Sequence, residues 1–209
     1  MGKAKKMARG EKFQFVGYYN CLDFVNTEFT KEGGRRRDSL LSFGDLIDWL
    51  GESRLLNRAQ LQNAPKLWGS GHAVERVFQD ALALRRALLA MAEKLATRRP
   101  VPSASLQVIN KAIGKCPARV LLARNSGRFE ETTRLDLCEP EQLMVPIAQS
   151  ASDLLCRGDL ALVKRCANPA CGTFFYDTSK NHTRRWCSTT ECGNRMRVAA
   201  HYRRRRAAG

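Results

Sequence analysis

No stretch of the 209-residue chain approaches eighteen consecutive apolar residues, so no segment is expected to cross a membrane as a helix. The opening residues 1–12 are rich in Lys and Arg and read as a disordered arm. No apolar run of the kind a secretory signal carries stands behind them, and a cytoplasmic protein is the expectation. Patterns of catalysis are missing too. There are no paired carboxylates, no nucleophile set beside a histidine and no glycine-rich phosphate loop, and His72, His182 and His201 stand at no metal-ligand spacing. The chain is therefore not expected to be an enzyme. Acidic residues are scarce, 20 against 36 Lys and Arg, which leaves a formal charge of +16. The shortage is sharpest in residues 158–209, where 3 Asp and Glu face 11 Lys and Arg, so that a quarter of the length carries half of the net charge. A basic module of that size points to a polyanion, most often nucleic acid; solvated charge that keeps the protein in solution is the alternative.

What the chain does have is 8 cysteines, unevenly placed. Cys21, Cys116, Cys138 and Cys156 are single and scattered and are expected to be small buried hydrophobes. The others form two pairs, Cys166-x4-Cys171 and Cys187-x4-Cys192, separated by 15 residues. Paired thiols in a reducing compartment argue for metal rather than disulfides. Four thiolates suit a tetrahedral, borderline-soft Zn²⁺ and leave no open position for catalysis, so one structural zinc per chain is expected on Cys166, Cys171, Cys187 and Cys192. Both pairs end in Cys-Gly, and Gly172 and Gly193 are expected to take positive φ so that backbone N–H groups turn towards the sulfurs. The 15-residue gap leaves room for a hairpin, with Thr173 to Asp177 as a strand that packs aromatics under the metal. A knuckle, a hairpin and a second knuckle that opens a helix resemble a treble-clef finger.

Ahead of the finger the apolar spacing is mostly helical. Leu22, Val25 and Phe29 fit a first helix with Asn20 as N-cap and Asp23 closing a capping box. Residues 33–38 read as a loop. Leu40, Phe43, Leu46, Ile47 and Leu50 mark a second helix stopped by Gly51; Val74 to Leu95 mark a long third helix that ends before Pro100; Leu106, Ile109 and Ile113 mark a fourth. Two β-patterned runs, Arg119 to Ala123 and Thr132 to Leu137, flank Asn125-Ser126-Gly127 as a β-hairpin. Pro140 then opens a helix that Gly158 ends. The expected fold is α+β: an arm over 1–12, a mainly helical domain with one β-hairpin over 13–158 with its own core, and a four-Cys treble-clef-like module over 159–209.

Two sets of polar residues are candidate sites. The arginines of the finger, Arg184, Arg185, Arg195, Arg197, Arg203, Arg204, Arg205 and Arg206, exceed what a site of net charge −2 would require nearby. At 100° per residue Arg195, Arg203 and Arg206 fall on one side of the last helix and Arg197 and Arg204 near the opposite side, which suits phosphate clamping better than one base-reading face. Asp23, Asn26 and Thr27 interrupt an apolar segment. They either cap and fix the first helix or, with Arg85 and Arg86 opposite, line a pocket for a small molecule.

Cys192-Gly193-Asn194-Arg195, with Phe175-x-Asp177-x-Ser179 and Arg185-Trp186-Cys187-Ser188 ahead of it, resembles the CGNR zinc-finger family. Cys21-Leu22-Asp23-Phe24-Val25-Asn26-Thr27, Asp48-Trp49-Leu50 and Leu84-Arg85-Arg86-Ala87-Leu88 resemble, in the expected order, the ABATE domain that accompanies it. The resemblance implies a bacterial, stress-induced transcription regulator whose zinc ligands fall on the same four cysteines. The leading expectation is a finger that holds DNA with its tail and a helical domain that senses a small-molecule effector or forms a homodimer. The alternative is a zinc-stabilised module for protein interaction or RNA binding.

Overall fold

A computed structural model describes residues 12–30, 36–57, 60–61, 72–115, 119–125, 127–134 and 139–207. In chain order the elements are α1 (Asn20–Val25), β1 (Glu28–Thr30), β2 (Arg36–Asp38), α2 (Phe43–Glu52), α3 (His72–Ala96), α4 (Ser103–Ile113), β3 (Arg119–Asn125), β4 (Arg128–Arg134), α5 (Val145–Arg157), β5 (Val163–Arg165), β6 (Phe174–Tyr176) and α6 (Asn194–Ala207). A 3-10 turn, Pro140–Met144, leads into α5, another, Leu160–Leu162, into β5, and a π turn, Thr189–Gly193, into α6.

The long helix α3 organises the first region. Val77, Phe78, Ala81, Leu84, Leu88, Met91, Ala92 and Leu95 recur at helical spacing and are buried. Against this stripe lie α1, α2 and α4, while α5 closes the bundle on α1 and α4. Trp49 from α2 and Phe24 from α1 meet there with ring centroids 4.9 Å apart. Gly51 does not stop α2 but sits in its last turn, and Leu40 is buried ahead of that helix rather than in it. The expected hairpin is present as β3 and β4, paired antiparallel from Arg119↔Arg134 to Asn125↔Arg128, with Gly127 at φ 85° in the turn. Cys21 is buried as expected, but Cys156 is exposed on α5, and Cys116 and Cys138 lie outside the described residues. No helix among the described residues is long and apolar enough to cross a membrane.

Two further antiparallel ladders are present among the described residues. The first, β1 with β2, corrects the reading of 22–38. The first helix stops at Val25, Phe29 belongs to a strand, and Arg36–Asp38, read as loop, pairs with Glu28–Thr30. Asn20 is not the cap; Tyr19 holds that position without a side-chain bond, and Asp23 closes no capping box. The helix ends because Thr27 donates its hydroxyl to the Phe24 carbonyl at 2.7 Å, while the Asn26 amide leaves to bind another segment.

The second ladder, β5 with β6, belongs to the finger, yet it completes the helical core. Val163 and Phe174 are buried in the same apolar cluster as α1, α3 and α5. In return, Val16 from the N-terminal segment joins Phe175 and the sulfur residues Cys166, Cys187 and Cys192 in a small second cluster. The helical domain thus has no core wholly separate from the finger.

Candidate metal centre and basic helix

The first knuckle grows out of β5. Cys166 donates its N–H to the Thr173 carbonyl at 2.9 Å, which extends the β5–β6 ladder by one step and closes the turn that carries Cys171. Inside that turn, Asn168 accepts from the Ala170 N–H at 3.1 Å and its carbonyl takes the Cys171 N–H at 2.9 Å. The hairpin therefore flanks the first cysteine pair instead of bridging the two pairs. The second knuckle is set by Ser188, whose hydroxyl caps the π turn through the Glu191 N–H at 3.2 Å. One backbone bond, Ala167 N–H to Arg185 carbonyl at 2.8 Å, ties the knuckles together.

The four sulfurs of Cys166, Cys171, Cys187 and Cys192 lie within 4.8 Å of one another. The Cys171–Cys187 edge is 3.8 Å and the Cys187–Cys192 edge 3.6 Å. A tetrahedron with Zn–S bonds of about 2.3 Å has S···S edges of about 3.8 Å, so the sulfurs fit that ion. Further contacts support them: the Cys187 N–H lies 3.5 Å from Cys166 Sγ, the Asn168 amide 3.5 Å from Cys192 Sγ, and the Thr173 hydroxyl 3.1 Å from Cys171 Sγ. These groups offset thiolate charge in the way a metal's outer shell does. The expectation for Gly172 and Gly193 was wrong in its means, since among the described glycines only Gly127 has positive φ. Gly193 packs against the Trp186 ring, which a Cβ there would meet at 3.4 Å, an ordinary contact distance.

A polar residue that the sequence reading left unassigned fixes the loop between the knuckles. Asp177, fully buried, accepts from Lys164 Nζ at 2.6 Å, the Ser179 hydroxyl at 2.6 Å, the Ser179 N–H at 2.9 Å and the Arg184 N–H at 2.9 Å. Burial alone would raise its carboxyl; the bonds from Lys164 and Ser179 outweigh that and hold it at about 2. The Asp-x-Ser spacing at the end of an aromatic strand was the available signal.

The eight arginines divide by location. Arg184 is half-buried, with its guanidinium 4.4 Å from the Phe175 ring centroid and bonded to the carbonyls of Trp186 and Cys187. Arg185 is exposed over the Trp186 ring. Arg195, Arg197 and Arg203 to Arg206 all stand exposed on α6, a 14-residue helix with no buried residue and no acid.

The five polar residues of the first region do come together in part, through bonds within the protein. Asp23 accepts the Gly17 N–H at 2.6 Å in a space so tight that a Cβ on Gly17 would come within 2.9 Å of that oxygen. Burial pushes the Asp23 carboxyl up to about 7. Asn26 acts as a short strand: its amide donates to the Phe174 carbonyl at 2.8 Å and its oxygen accepts the Phe174 N–H at 2.8 Å. Next along β6, the Tyr176 N–H reaches the Gly17 carbonyl at 3.0 Å. Arg85 forks onto Asp38 at 2.6 and 2.7 Å and donates to the Thr27 hydroxyl at 3.0 Å, while Arg86 points to solvent.

Residues 20–158 match the ABATE family, described as "Putative stress-induced transcription regulator". The chain belongs to the ABATE family. Residues 163–205 match the CGNR zinc finger, a span that holds all four cysteines of the cluster. Both families are regulatory rather than catalytic, and the four-cysteine cluster can hold one Zn²⁺. A search of curated proteins finds no match to the chain. The ABATE domain of this chain is thus joined to its finger through Asn26 and Gly17, both buried against β6.

Proposed function

We propose that this ABATE protein is a DNA-binding transcription regulator in which zinc holds the finger, the finger carries α6, and the ABATE domain acts as a fixed mount. The observation that carries this reading is α6 itself. It bears six arginines and no acidic residue, it contacts mainly the π turn before it, and among the described residues no carboxylate pairs with Arg197 or with Arg203 to Arg206. Arginine stays charged at any relevant pH and its planar fork matches phosphate oxygens. Four arginines in the last turns also favour the helix, because cations are stabilised at the negative end of its dipole. Zinc would be held by Cys166, Cys171, Cys187 and Cys192, and its chemistry there is to close the finger.

Anisotropy titration of a labelled duplex against the zinc-loaded protein tests the reading. Affinity should fall by about a thousandfold or more between 50 and 200 mM salt if six or more phosphates are neutralised. Truncation after Tyr202 removes Arg203 to Arg206, and should lower affinity for all duplexes and make the salt slope shallower. Binding that is indifferent to salt would point instead to a protein partner, and stronger competition by RNA than by DNA would point to an RNA-binding module.

A further inference from the structure

We infer that the outward face of α6, formed by Asn194, Val198, His201, Tyr202 and Arg205, enters the major groove of double-stranded DNA and reads base edges. The inference rests on the proposed nucleic-acid function and names where sequence is recognised. From the sequence alone the arginines surround the helix evenly. The structure fixes which side is inside: of the residues on α6, Met196 and Ala200 are the half-buried ones and the rest are exposed. Met196 and Ala200 are four apart and share a face, which is turned towards the finger.

With that face inward, the helical spacing of about 100° per residue puts Asn194, Val198, His201, Tyr202 and Arg205 on the far side. Arg206, in line with Arg195, lies roughly 70° to one side of that outward face, and Arg197 with Arg204 roughly 110° to the other. Apart from Arg203, which lies towards the inner side, the ring of charge therefore resolves into two basic flanks with a differently composed face between them. A helix with its side chains is about 10–12 Å across, and the major groove of B-DNA is about 12 Å wide. In that groove the flanks would face the two phosphate walls, while the outward face would meet the bases.

The chemistry of the face suits that position. Asparagine pairs with the N6/N7 edge of adenine, arginine with the O6/N7 edge of guanine, and an aliphatic side chain covers the thymine methyl. Val198 is 47% exposed on a helix where a solubility device would carry another charge. The minor groove, about 6 Å wide, does not admit a helix, and the narrow major groove of A-form RNA does not admit side chains for reading. Double-stranded DNA is the occupant that fits.

The test uses the full-length, zinc-loaded protein and a pool of randomised duplexes. A competitor duplex whose major groove is filled by glucosylated 5-hydroxymethylcytosine should compete at least about tenfold less well than plain duplex, whereas netropsin, a minor-groove ligand, should not displace the protein. Selection from the pool with Asn194→Ala and Val198→Ala should return a changed base preference at an unchanged salt slope. Arg197→Ala with Arg204→Ala should weaken all duplexes alike. Zinc content measured on each variant separates loss of fold from loss of reading, and the glucosylated competitor decides the matter on the unaltered protein. Equal competition by the glucosylated duplex, or displacement by netropsin, overturns the major-groove assignment while leaving nucleic-acid binding intact. Absence of salt-dependent binding to any nucleic acid overturns the proposed function itself, and this inference with it.

Discussion

The ABATE domain closes around a continuous apolar core that runs from Phe13 through α3 to Leu154, whereas the small cluster of the finger comprises Val16, Phe175 and three cysteines. The first is stabilised by removing hydrocarbon from water, which many combinations of side chains can do. The second has too little hydrocarbon for that and depends on four sulfurs at one spacing. The difference explains where polar residues are tolerated. Inside the ABATE domain they are rare, and the charged one on α3, Arg85, has partners in Asp38 and Thr27. At the border with the finger they are concentrated, because there two regions of different construction must meet with their backbone groups satisfied.

Metal removal should separate the regions most sharply. Structural zinc in small fingers contributes about 10–16 kcal/mol to folding. Cys187→Ala should abolish the expected one zinc per chain, measured by atomic emission, and unfold residues 163–205 while α3 and its neighbours keep most of their helical signal. A variant that keeps both metal and finger structure would end the zinc assignment.

Removing the finger comes next. A chain ending at Gly158 loses Val163 and Phe174 from the shared core. Truncating one buried phenylalanine alone costs about 3–5 kcal/mol. The shortened chain should still melt cooperatively, but with a midpoint lower by about 10 °C or more. An unchanged midpoint would show that the ABATE domain is complete without β5 and β6.

Asp23 gives a smaller effect with a definite sign. Its carboxyl stands at about 7 in the folded protein against 3.8 when free, so the stability contributed by the protonated form is complete below pH 3.8 and is lost as pH rises through 7. The loss amounts to about 4 kcal/mol at most. Asp23→Asn keeps an oxygen for the Gly17 N–H and should flatten the decline in denaturation midpoint between pH 5 and pH 8. A decline of the same steepness in the variant would assign it to other groups.

The smallest change tests the border directly. Asn26→Ala leaves the buried N–H and C=O of Phe174 without their partners, and should cost about 3 kcal/mol. Combined with removal of the finger, the substitution should cost much less. Full additivity in that double-mutant cycle would mean that Asn26 supports α1 and not the junction.

Legibility followed the range of the interactions. Helices α3, α4 and α5 were readable because their apolar spacing and terminal Pro and Gly are local signals, and the zinc ligands because two cysteine pairs state their own chemistry. The fate of Asn26 was not readable, since its partner lies 148 residues away. Its residue type also fits a helix cap, the bland reading. The end of α1 and the β1–β2 ladder were missed for another reason: Phe29 continues a helical stripe in the sequence, but its backbone pairs with Arg37 instead. Arg184 could not be told from its neighbours by charge, although it packs on Phe175 while Arg185 lies over Trp186.

The pairing of Asn26 and Gly17 with β6 has a consequence for the order of events at the ribosome. Residues 13–26 leave the ribosome long before β6, the strand that satisfies them. Until then the helices of the ABATE domain can gather, but one edge of their assembly stays open with polar groups turned towards a partner not yet synthesised. The finger arrives with its metal-binding turn on the same hairpin. Capture of zinc, by ordering β5 and β6, would then be the step that completes the nascent ABATE domain. Zinc shortage during synthesis should accordingly leave a whole protein unfinished at its N-terminal edge, and protease cleavage near residues 12–19 of freshly made chains would reveal it.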